Sequence, residues 1–295
     1  MKILVLGSNG QLGRSLNDQL KSTDHEVIYT SREQIDIADF EQTKNKIKKI
    51  SPYLIINATA YTAVDKAEED QKTANLINHL AVKNIAYTCN QQGCWLIHVS
   101  TDFVFDGSST IPYKESDKTN PQGVYGETKH NGELVIEASG CKYIILRTAW
   151  VFSEYGDNFL KTMLRLGADR DELNIVGDQI GCPTYAQDIA KTVVEIVPQL
   201  YSREYNGLYH YCGDQPCSWY EFAKAIFDQA MINNLKIPSK VNSIESSAYP
   251  TPAKRPAFSV LNCTKIENDF GVQASNWRDG IGQVTSKLKL ENQIS

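Results

Sequence analysis

A tyrosine and a lysine at helical spacing are the residues best suited to acid–base chemistry in this sequence. Tyr125 and Lys129 stand four residues apart in Tyr-Gly-Glu-Thr-Lys, so a helix would present both side chains on one face. A free tyrosine has a pKa of about 10, and a nearby ammonium group lowers that value by favouring the phenolate. The spacing therefore predicts that Tyr125 donates a proton to an alkoxide near neutral pH.

The Y-x-x-x-K pattern is weak by itself, and its position along the chain strengthens it. Thr101, within Ser-Thr-Asp, follows an apolar run that is typical of a buried strand, and the helix of Tyr125 comes next along the chain. In open α/β sheets, ligands bind at the carboxyl ends of the strands. We therefore expect Thr101, Tyr125 and Lys129 to meet at one site.

A glycine turn near the start of the chain indicates a dinucleotide site. Gly7, Gly10 and Gly13 form G-x-x-G-x-x-G directly after the first apolar run, one glycine displaced from the commoner fingerprint. The first glycine would permit the turn, the second would let backbone N–H groups approach a pyrophosphate, and the third would let the following helix pack on the sheet. The helix N-terminus adds partial positive charge. The alternative is a glycine-rich turn that binds nothing.

The end of the second predicted strand bears on the choice of cofactor. It reads Tyr-Thr-Ser-Arg, where an acidic residue would bind a ribose 2′-hydroxyl and repel a 2′-phosphate. Thr30, Ser31 and Arg32 are suited to holding that phosphate, so we predict NADPH as cofactor, with NADH also accepted. Asp36 is expected on the adenine side. For Arg32, a solvated loop arginine is an equally good interpretation.

The elements that must position these residues alternate between strand and helix. Such alternation is typical of a Rossmann-type α/β fold, a doubly wound parallel sheet covered by helices on both faces. We predict a dinucleotide-binding domain at residues 1–150. Its strands are expected at 2–7, 26–30, 53–57, 94–100 and 143–147, and its helices at 40–50, 65–92 and 125–139.

The pattern loosens after about residue 150. We predict a smaller α/β region at residues 151–295 that binds substrate and from which segments can return to the first domain. The stretch 237–260 holds four of the ten prolines and is expected to be irregular and to lie over a cleft. Helices are expected at 158–166, 186–200 and 219–229, and strands at 173–176 and 207–211.

Composition narrows the classes of partner and compartment. Thirty Lys and Arg against 35 Asp and Glu give a net charge of −5, which disfavours nucleic-acid binding. Apolar runs are too short to cross a bilayer and no signal peptide is evident, so neither membrane nor secretion is expected. Seven cysteines without CxxC or zinc spacing read as reduced thiols. We expect a cytoplasmic protein that binds a small molecule.

Other titratable residues have simpler explanations than catalysis. The acids at 65, 68, 69 and 70 suit the first turns of a helix, so we predict no metal site. The five histidines are scattered, and His98, inside a predicted strand, is more typical of a hydrogen-bonded core residue than of a base.

The chain resembles the short-chain dehydrogenase/reductase superfamily in its extended branch, and within it the dTDP-4-dehydrorhamnose reductase family. The glycine turn, Thr101 and Y-x-x-x-K carry the superfamily resemblance. The similarity to the narrower family runs over about residues 1–285, and the blocks at 57–68 and 249–256 are its most specific parts. The matching blocks lie at 57–68, 100–105, 125–129, 147–151, 158–159, 178–184 and 249–256.

The resemblance implies reduction of the C4 ketone of dTDP-4-dehydro-L-rhamnose to dTDP-L-rhamnose. It also assigns cofactor contacts across the nucleotide. These are Gly10, Gln11 and Leu12 at the pyrophosphate, Asp36 and Ile37 at the adenosine, Ala60, Tyr61 and Thr62 at the middle of the dinucleotide, and Lys129 at the nicotinamide ribose.

At the substrate end, the resemblance implies that Tyr125 is the proton donor and that Thr101 binds the ketone or tunes Tyr125. Asp102 and Trp150 would line the sugar pocket, although Trp150 also fits a core aromatic after the fifth strand. From its own chemistry we assign Arg255 to the substrate diphosphate, because a guanidinium suits bidentate phosphate contact. A purely structural Arg255 is the alternative.

The chain departs from the family at two positions. Phe103 stands where the family often has tyrosine, which removes one hydroxyl. Some relatives form dimers bridged by magnesium through a glutamate of the first helix, and the matching position here is Ser15. We therefore expect no metal-bridged dimer, and leave open whether the chain is a homodimer.

Two other functions remain compatible with the sequence. One is a different nucleotide-sugar reductase or epimerase of the same superfamily, since pocket shape decides the sugar. The other is a non-catalytic relative such as the regulatory β-subunit of methionine adenosyltransferase, against which the presence of Thr101, Tyr125 and Lys129 argues. NADPH oxidation with and without the 4-keto sugar nucleotide separates these cases.

Overall fold

The computed structural model describes residues 1–201 and 206–291 and centres on a parallel sheet. Within the described residues six strands form this sheet in the order β10-β5-β4-β3-β1-β2. The strands along the chain are β1 (Lys2–Leu6), β2 (Glu26–Thr30), β3 (Leu54–Asn57), β4 (Trp95–Thr101), β5 (Lys142–Thr148), β6 (Val151–Phe152), β7 (Glu172–Val176), β8 (Ile180–Gly181), β9 (Thr184–Tyr185), β10 (Gly207–His210), β11 (Cys217–Ser218) and β12 (Lys240–Ile244).

Helices cover both faces of the sheet. Alternate residues of a strand point to opposite faces, and β1 shows the result: Ile3 and Val5 pack with α1 and α8, while Leu4 and Leu6 pack with α2 and α5. The predicted doubly wound parallel sheet is thus confirmed. The helices are α1 (Gln11–Leu20), α2 (Phe40–Ile50), α3 (Val64–Ala67), α4 (Gln71–Asn75), α5 (Ala81–Gln92), α6 (Val124–Glu137), α7 (Phe159–Asp169), α8 (Ala186–Ile196), α9 (Trp219–Ile232), α10 (Thr264–Phe270) and α11 (Trp277–Leu290).

The single long helix expected at 65–92 is wrong. The chain leaves the helical path after Ala67, and Asp70 starts the next helix by accepting a hydrogen bond from the Thr73 N–H at 3.4 Å. Aspartate favours such N-cap positions because its carboxylate satisfies a free backbone donor. A π-helical turn, Leu76–Leu80, then joins α4 to α5.

The second half of the chain builds its own smaller core. The parallel pair β7 and β12 packs with α7, α9 and α11 around aromatic and aliphatic side chains such as Phe222 and Trp277. The irregular stretch expected at 237–260 is therefore partly wrong, because it contains β12. Pro238 and Pro250 flank this strand, so neither removes a hydrogen bond from it.

Segments of the second half also enter the first core. Strand β10 pairs in parallel with β5 at the edge of the main sheet, and Ile189 and Val193 of α8 pack in the same core as α1. The boundary between domains at residue 150 stays a prediction, and residues 202–205 and 292–295 of the predicted second region lie outside the described part. Among the described helices, none is long and apolar enough to cross a membrane.

A buried ion pair ties α6 to β5 beneath the carboxyl edge of the sheet. Arg147 donates through Nε and one terminal nitrogen to the two carboxylate oxygens of Glu133, at 2.9 and 2.6 Å. Both side chains are almost fully buried. Burial alone would raise the pKa of Glu133, but hydrogen bonds from Arg147 and His130 lower it to about 2.

We expect Glu133→Gln to destabilise the protein strongly, because Arg147 would remain buried without a counter-charge. Breaking a buried pair in this way typically costs about 3–5 kcal/mol. The matched control is Glu172→Gln in the exposed pair with Lys240, which should cost under about 1 kcal/mol. Denaturant unfolding at neutral pH measures both free energies.

The same pair should make stability depend on pH in a defined direction. The folded pKa of Glu133 lies below its unfolded value of 4.5, so the stabilisation is complete above that pH and is lost as pH falls toward about 2. The difference in the free energy of unfolding between wild type and Glu133→Gln should therefore become smaller as the pH falls over this range. Equal costs for Glu133→Gln and Glu172→Gln would contradict the assignment.

Candidate active site

A continuous cleft follows the carboxyl ends of the sheet strands. It consists of two adjoining cavities of about 730 and 540 Å³ that share Gly10, Ala58, Thr59 and Ala60. The larger contains the predicted catalytic end, and the smaller contains the predicted adenosine end. The predicted residues that line the cleft are Gly7, Gly10, Gln11, Leu12, Arg32, Asp36, Ile37, Ala60, Tyr61, Thr62, Thr101, Asp102, Tyr125, Lys129, Trp150 and Arg255.

The glycine turn brings α1 unusually close to β1. Gly7 adopts φ +82°, which favours glycine, and a Cβ on Gly13 would lie 2.2 Å from the Gly7 carbonyl oxygen. Gly10 is the N-cap of α1 without a side-chain cap, and the first turn contains no acidic residue. The N-terminus of α1 therefore opens into the cleft with its partial positive charge uncompensated, and this cradle fits a pyrophosphate.

Two predicted cofactor residues do not line the cleft. Gly13 acts through the close packing just described. The Thr30 hydroxyl donates to the Val5 carbonyl at 3.0 Å, and the Thr30 carbonyl accepts from the N–H groups of Gly7 and Ser8. The structure thus assigns Thr30 to the shape of the turn, since its hydroxyl is used inside the sheet.

The adenosine end of the cleft contains acidic as well as basic side chains, whereas the sequence suggested mainly a site for a phosphate. Arg32 is 79% exposed and pairs with Asp36 at 3.7 Å. Glu33 also lines this cavity and accepts a hydrogen bond from the Ser31 hydroxyl. Arg32 therefore stands between two carboxylates, and Lys66 is a second cation in the lining of this cavity.

Asn78 holds the segment that contains Ala60, Tyr61 and Thr62. Its side chain accepts from the Tyr61 N–H at 2.8 Å and donates to the Tyr61 carbonyl at 3.1 Å and to the Thr128 hydroxyl at 3.2 Å. Asn78 lies in the π-helical turn, a feature often found at functional sites. It couples this segment to α6, and no pattern in the sequence marked it.

Tyr125 and Thr101 meet as predicted. Gly126 allows this approach, because a Cβ there would lie 2.2 Å from the Phe103 carbonyl oxygen. The Phe103 ring meets the Tyr125 ring edge to face, with centroids 5.5 Å apart. The Thr101 hydroxyl lies beside the Tyr125 hydroxyl and lowers its pKa. Helix α6, which contains Tyr125, thus packs closely against the end of β4.

The expected lowering of the Tyr125 pKa is wrong. Burial raises this pKa to about 12, and the neighbouring Thr101 hydroxyl only partly offsets the effect. The Lys129 amine instead donates to the Val99 carbonyl at 2.6 Å, and burial lowers the pKa of Lys129 to about 8. Desolvation therefore outweighs the tyrosine–lysine attraction on which the prediction rested.

Asp102 contributes a carboxyl group to the lining of the larger cavity, and Trp150 contributes an aromatic ring. Asp102 is buried and accepts from the Thr101 hydroxyl at 3.1 Å, and burial raises its pKa to about 6. Trp150 has φ +46° and stacks on Trp219 with ring centroids 3.4 Å apart and planes 5° apart. A Cβ on Gly181 would meet the Trp150 ring, so this glycine leaves room for the stack.

Trp219 is a lining residue that the sequence did not reveal. It opens α9, where Ser218 and Glu221 form a capping box that fixes the start of the helix. The sequence signal was this S-x-x-E box, which marks a helix start and does not say that the next residue reaches the cleft.

Arg255 lines the cleft but is bound by an acidic residue. Its two terminal nitrogens donate to the Asp65 carboxylate at 3.0 and 2.7 Å, and this pair lowers the pKa of Asp65. The pair joins α3 to the late proline-containing segment. A diphosphate would have to share or replace Asp65 as partner of Arg255.

Gln11 connects the glycine turn to the loop after β6. Its side-chain oxygen accepts from the Ser153 hydroxyl and from the Asn158 amide, each at 2.9 Å. Gly156, Asp157 and Asn158 of this loop line the larger cavity. The cofactor turn and the opposite wall of the cavity are thus held together by one side chain.

The chain is similar to known proteins over nearly its whole length. The chain is 42% identical over 287 residues to the dTDP-4-dehydrorhamnose reductase of Aggregatibacter actinomycetemcomitans, covering 96% of this chain and 98% of that protein. The reductase of Escherichia coli K12 is 38% identical and covers 98% of both chains. The predicted resemblance to this family is confirmed.

Solved structures agree as well. The dTDP-4-dehydrorhamnose reductase of Clostridium acetobutylicum matches with a TM-score of 0.92 at 38% identity, covering 98% of this chain and 100% of that one. The Bacillus anthracis reductase, solved in complex with NADP, matches with a TM-score of 0.89 at 33% identity, covering 97% and 99%. The family described as RmlD substrate binding domain matches residues 1–290. The chain therefore belongs to the RmlD substrate binding domain family.

Proposed function

We propose that this chain reduces the C4 ketone of dTDP-4-dehydro-L-rhamnose to dTDP-L-rhamnose with NADPH as hydride donor. The names of its relatives support the reaction, and the NADP complex of one relative supports the cofactor. The observation that carries the proposal is the cleft itself: an uncapped helix N-terminus opens into the same cleft as a tyrosine–threonine pair. An oxidoreductase needs both features within one cofactor length.

The residues present fit a dinucleotide. The backbone of Gly10, Gln11 and Leu12 would hold the pyrophosphate at the open end of α1, and Arg32 is placed to contact a 2′-phosphate. The Ala60–Thr62 segment, held by Asn78, would contact the middle of the dinucleotide. Bound NADPH supplies hydride to the ketone carbon. The chain's own task is to deliver a proton to the ketone oxygen.

Tyr125 is the proposed proton donor. Its raised pKa keeps it protonated through the neutral range, so it is an acid when the ketone oxygen gains charge. An alkoxide is a much stronger base than a phenolate, so proton transfer from Tyr125 is favourable. The Thr101 hydroxyl donates to Asp102 in the structure, and on turning its proton toward Tyr125 it would stabilise the phenolate, in keeping with its lowering effect on the Tyr125 pKa.

The larger cavity is the proposed site for the sugar nucleotide. Asp102 offers a buried carboxylate to sugar hydroxyls, and Trp150 with Trp219 offers a flat apolar wall. We assign the diphosphate to Arg255 in exchange for Asp65. This exchange is feasible because the pair is partly exposed, so its disruption costs less than that of a buried pair.

The reaction itself is tested by following NADPH oxidation in the presence and absence of dTDP-4-dehydro-L-rhamnose. Oxidation that depends on the sugar nucleotide supports the proposal. Cofactor binding without oxidation would instead support the non-catalytic alternative, and turnover only with another 4-keto sugar nucleotide would change the assigned substrate.

Tyr125→Phe should lower turnover by about 10² to 10⁴ while folding and cofactor binding persist, because only the donated proton is removed. The control is Tyr87→Phe, on an exposed residue of α5 away from the cleft, which should leave kcat unchanged. Steady-state kinetics with both variants measure the effect. An unchanged kcat for Tyr125→Phe would remove this residue from the proton transfer.

Arg255→Ala should raise the KM for the sugar nucleotide roughly tenfold, the lower end expected for a charge-assisted hydrogen bond. Asp65→Asn is the informative companion, because it frees Arg255 and should not raise KM. Lys254→Ala, beside Arg255 but bonded to Gln122, controls for local disturbance. A KM that is equally unchanged in Arg255→Ala and Lys254→Ala would make Arg255 structural.

NADPH should bind at least as tightly as NADH, because Arg32 can exchange an exposed carboxylate partner for a phosphate. Arg32→Ala should weaken NADPH binding and leave NADH binding unchanged, since NADH lacks that phosphate. Equilibrium titration with both cofactors gives the dissociation constants. A preference for NADH of more than about tenfold, or 1.4 kcal/mol, would refute this choice of cofactor.

A further inference from the structure

A buried histidine lies against Lys129 beneath the cleft. His98 is in β4, fully buried, and its cross-strand neighbour in β3 is Asn57, also fully buried. The Nε2 atom of His98 is 3.4 Å from the Lys129 Nζ atom. No role for His98 or Asn57 follows from the proposed reaction alone, yet His98 contacts Lys129, a predicted catalytic residue, and Asn57 contacts His98.

The orientation of the Asn57 amide follows from its other neighbour. Thr59 donates its backbone N–H to Asn57 Oδ1 at 3.1 Å and its hydroxyl to the same oxygen at 2.6 Å. A backbone N–H can only donate, so the atom it meets must be the amide oxygen. The amide nitrogen of Asn57 therefore faces His98 Nδ1, at 3.0 Å.

This orientation fixes the tautomer of His98. The amide nitrogen can only donate, so Nδ1 must accept and cannot carry a proton. A neutral ring then carries its proton on Nε2, the atom nearest Lys129. Burial lowers the pKa of His98, which keeps the ring neutral.

Lys129 thus meets a donor where an ammonium group would need an acceptor. Its amine already donates to the Val99 carbonyl at 2.6 Å. A neutral amine can accept from the His98 Nε2–H, whereas a charged one would place an N–H against another N–H. Hydrogen bonding to the neutral form disfavours the charged form.

Other charged groups around Lys129 do not reverse this effect. Glu133, one turn along α6, favours the ammonium, but Arg147 of β5 already pairs with it and His130 adds a further contact. Tyr125, one turn before Lys129, is protonated. His210 of β10 lies on the far side of Arg147, at 3.4 Å from its guanidinium.

We propose that Asn57 and His98 are positioning residues that set the protonation state of Lys129: Asn57 places the His98 proton on Nε2, and that N–H favours the neutral amine. This inference rests on the proposed function for its use in turnover. After Tyr125 gives its proton to the product hydroxyl, the ammonium form of Lys129 can pass one proton to the Tyr125 phenolate and become the neutral amine, and water then returns a proton to Lys129. Lys129 then exchanges protons near neutral pH.

The first test reads the histidine tautomer in the protein without nucleotide. ¹⁵N NMR of the histidine rings, with His98 identified by its loss in His98→Gln, should show a proton on Nε2 only. This state should persist from about pH 5 to 9, because a buried neutral ring does not titrate there. A proton on Nδ1 of His98 would overturn the proposal.

The second test follows Lys129 itself by ¹³Cε NMR of labelled lysine, assigned with Lys129→Met. The wild-type midpoint is expected near the pKa of about 8. In His98→Gln it should rise by roughly half to one pH unit, the size of one hydrogen bond, because the amide can turn its oxygen toward Nζ. His25→Gln, at a half-exposed histidine near the chain start, is the matched control.

An unchanged Lys129 midpoint in folded His98→Gln would refute the proposal. A midpoint that rises equally in His98→Gln and His25→Gln would also refute it, since the effect would then be global. Neither measurement requires substrate or turnover. Failure of the proposed reductase activity therefore leaves this result interpretable, and a negative result here leaves the proposed reaction untouched.

Discussion

The close approach of α1 to β1 is the constraint on which the cleft depends. Since Gly13 packs its backbone against the Gly7 carbonyl, the helix begins directly above the sheet edge and directs its free N–H groups along it. The parallel strands all end at this edge, so residues distant in sequence face the same space. Any side chain at Gly13 would push α1 away and close the anion cradle to a pyrophosphate.

Burial, more than proximity, governs the chemistry at the other end of the cleft. Tyr125, Asp102 and Lys129 are each pushed toward their uncharged forms by desolvation. At neutral pH this leaves Tyr125 uncharged, whereas Asp102, with a pKa of about 6, and Lys129, with a pKa of about 8, still carry charge. Tyr125 therefore keeps its proton until negative charge appears on the substrate, which is the order that reduction requires.

Much of the fold could be predicted because the strands of the main sheet are apolar runs, as burial between two layers of helices requires. The helix Phe40–Ile50 and the strand Glu26–Thr30 match their predicted bounds. The break after Ala67 could not be seen, because Glu68, Glu69 and Asp70 suit both a helix start and a helix interior. Strand β12 was hidden by prolines that flank it instead of interrupting it.

All the predicted site residues except Gly13 and Thr30 line one cleft, and most of the errors concern their hydrogen-bond and stacking partners. Sequence spacing does not show that Asp65 binds Arg255, that the Thr30 hydroxyl is used inside the sheet, or that Trp219 stacks on Trp150. Each of these contacts joins segments far apart in the chain, where no periodicity operates. The predicted direction of the Tyr125 pKa shift was wrong for the same reason, because desolvation depends on every group that packs around the ring.

The contacts of Gln11 have a thermodynamic consequence. One side chain joins the turn expected at the pyrophosphate to the loop that walls the larger cavity. A ligand that moves the turn must therefore work against the loop, and a ligand that orders the loop also orders the turn. Such coupling is reciprocal by linkage. If the bound dinucleotide raises the affinity for the sugar nucleotide by some factor, the bound sugar nucleotide raises the affinity for the dinucleotide by the same factor.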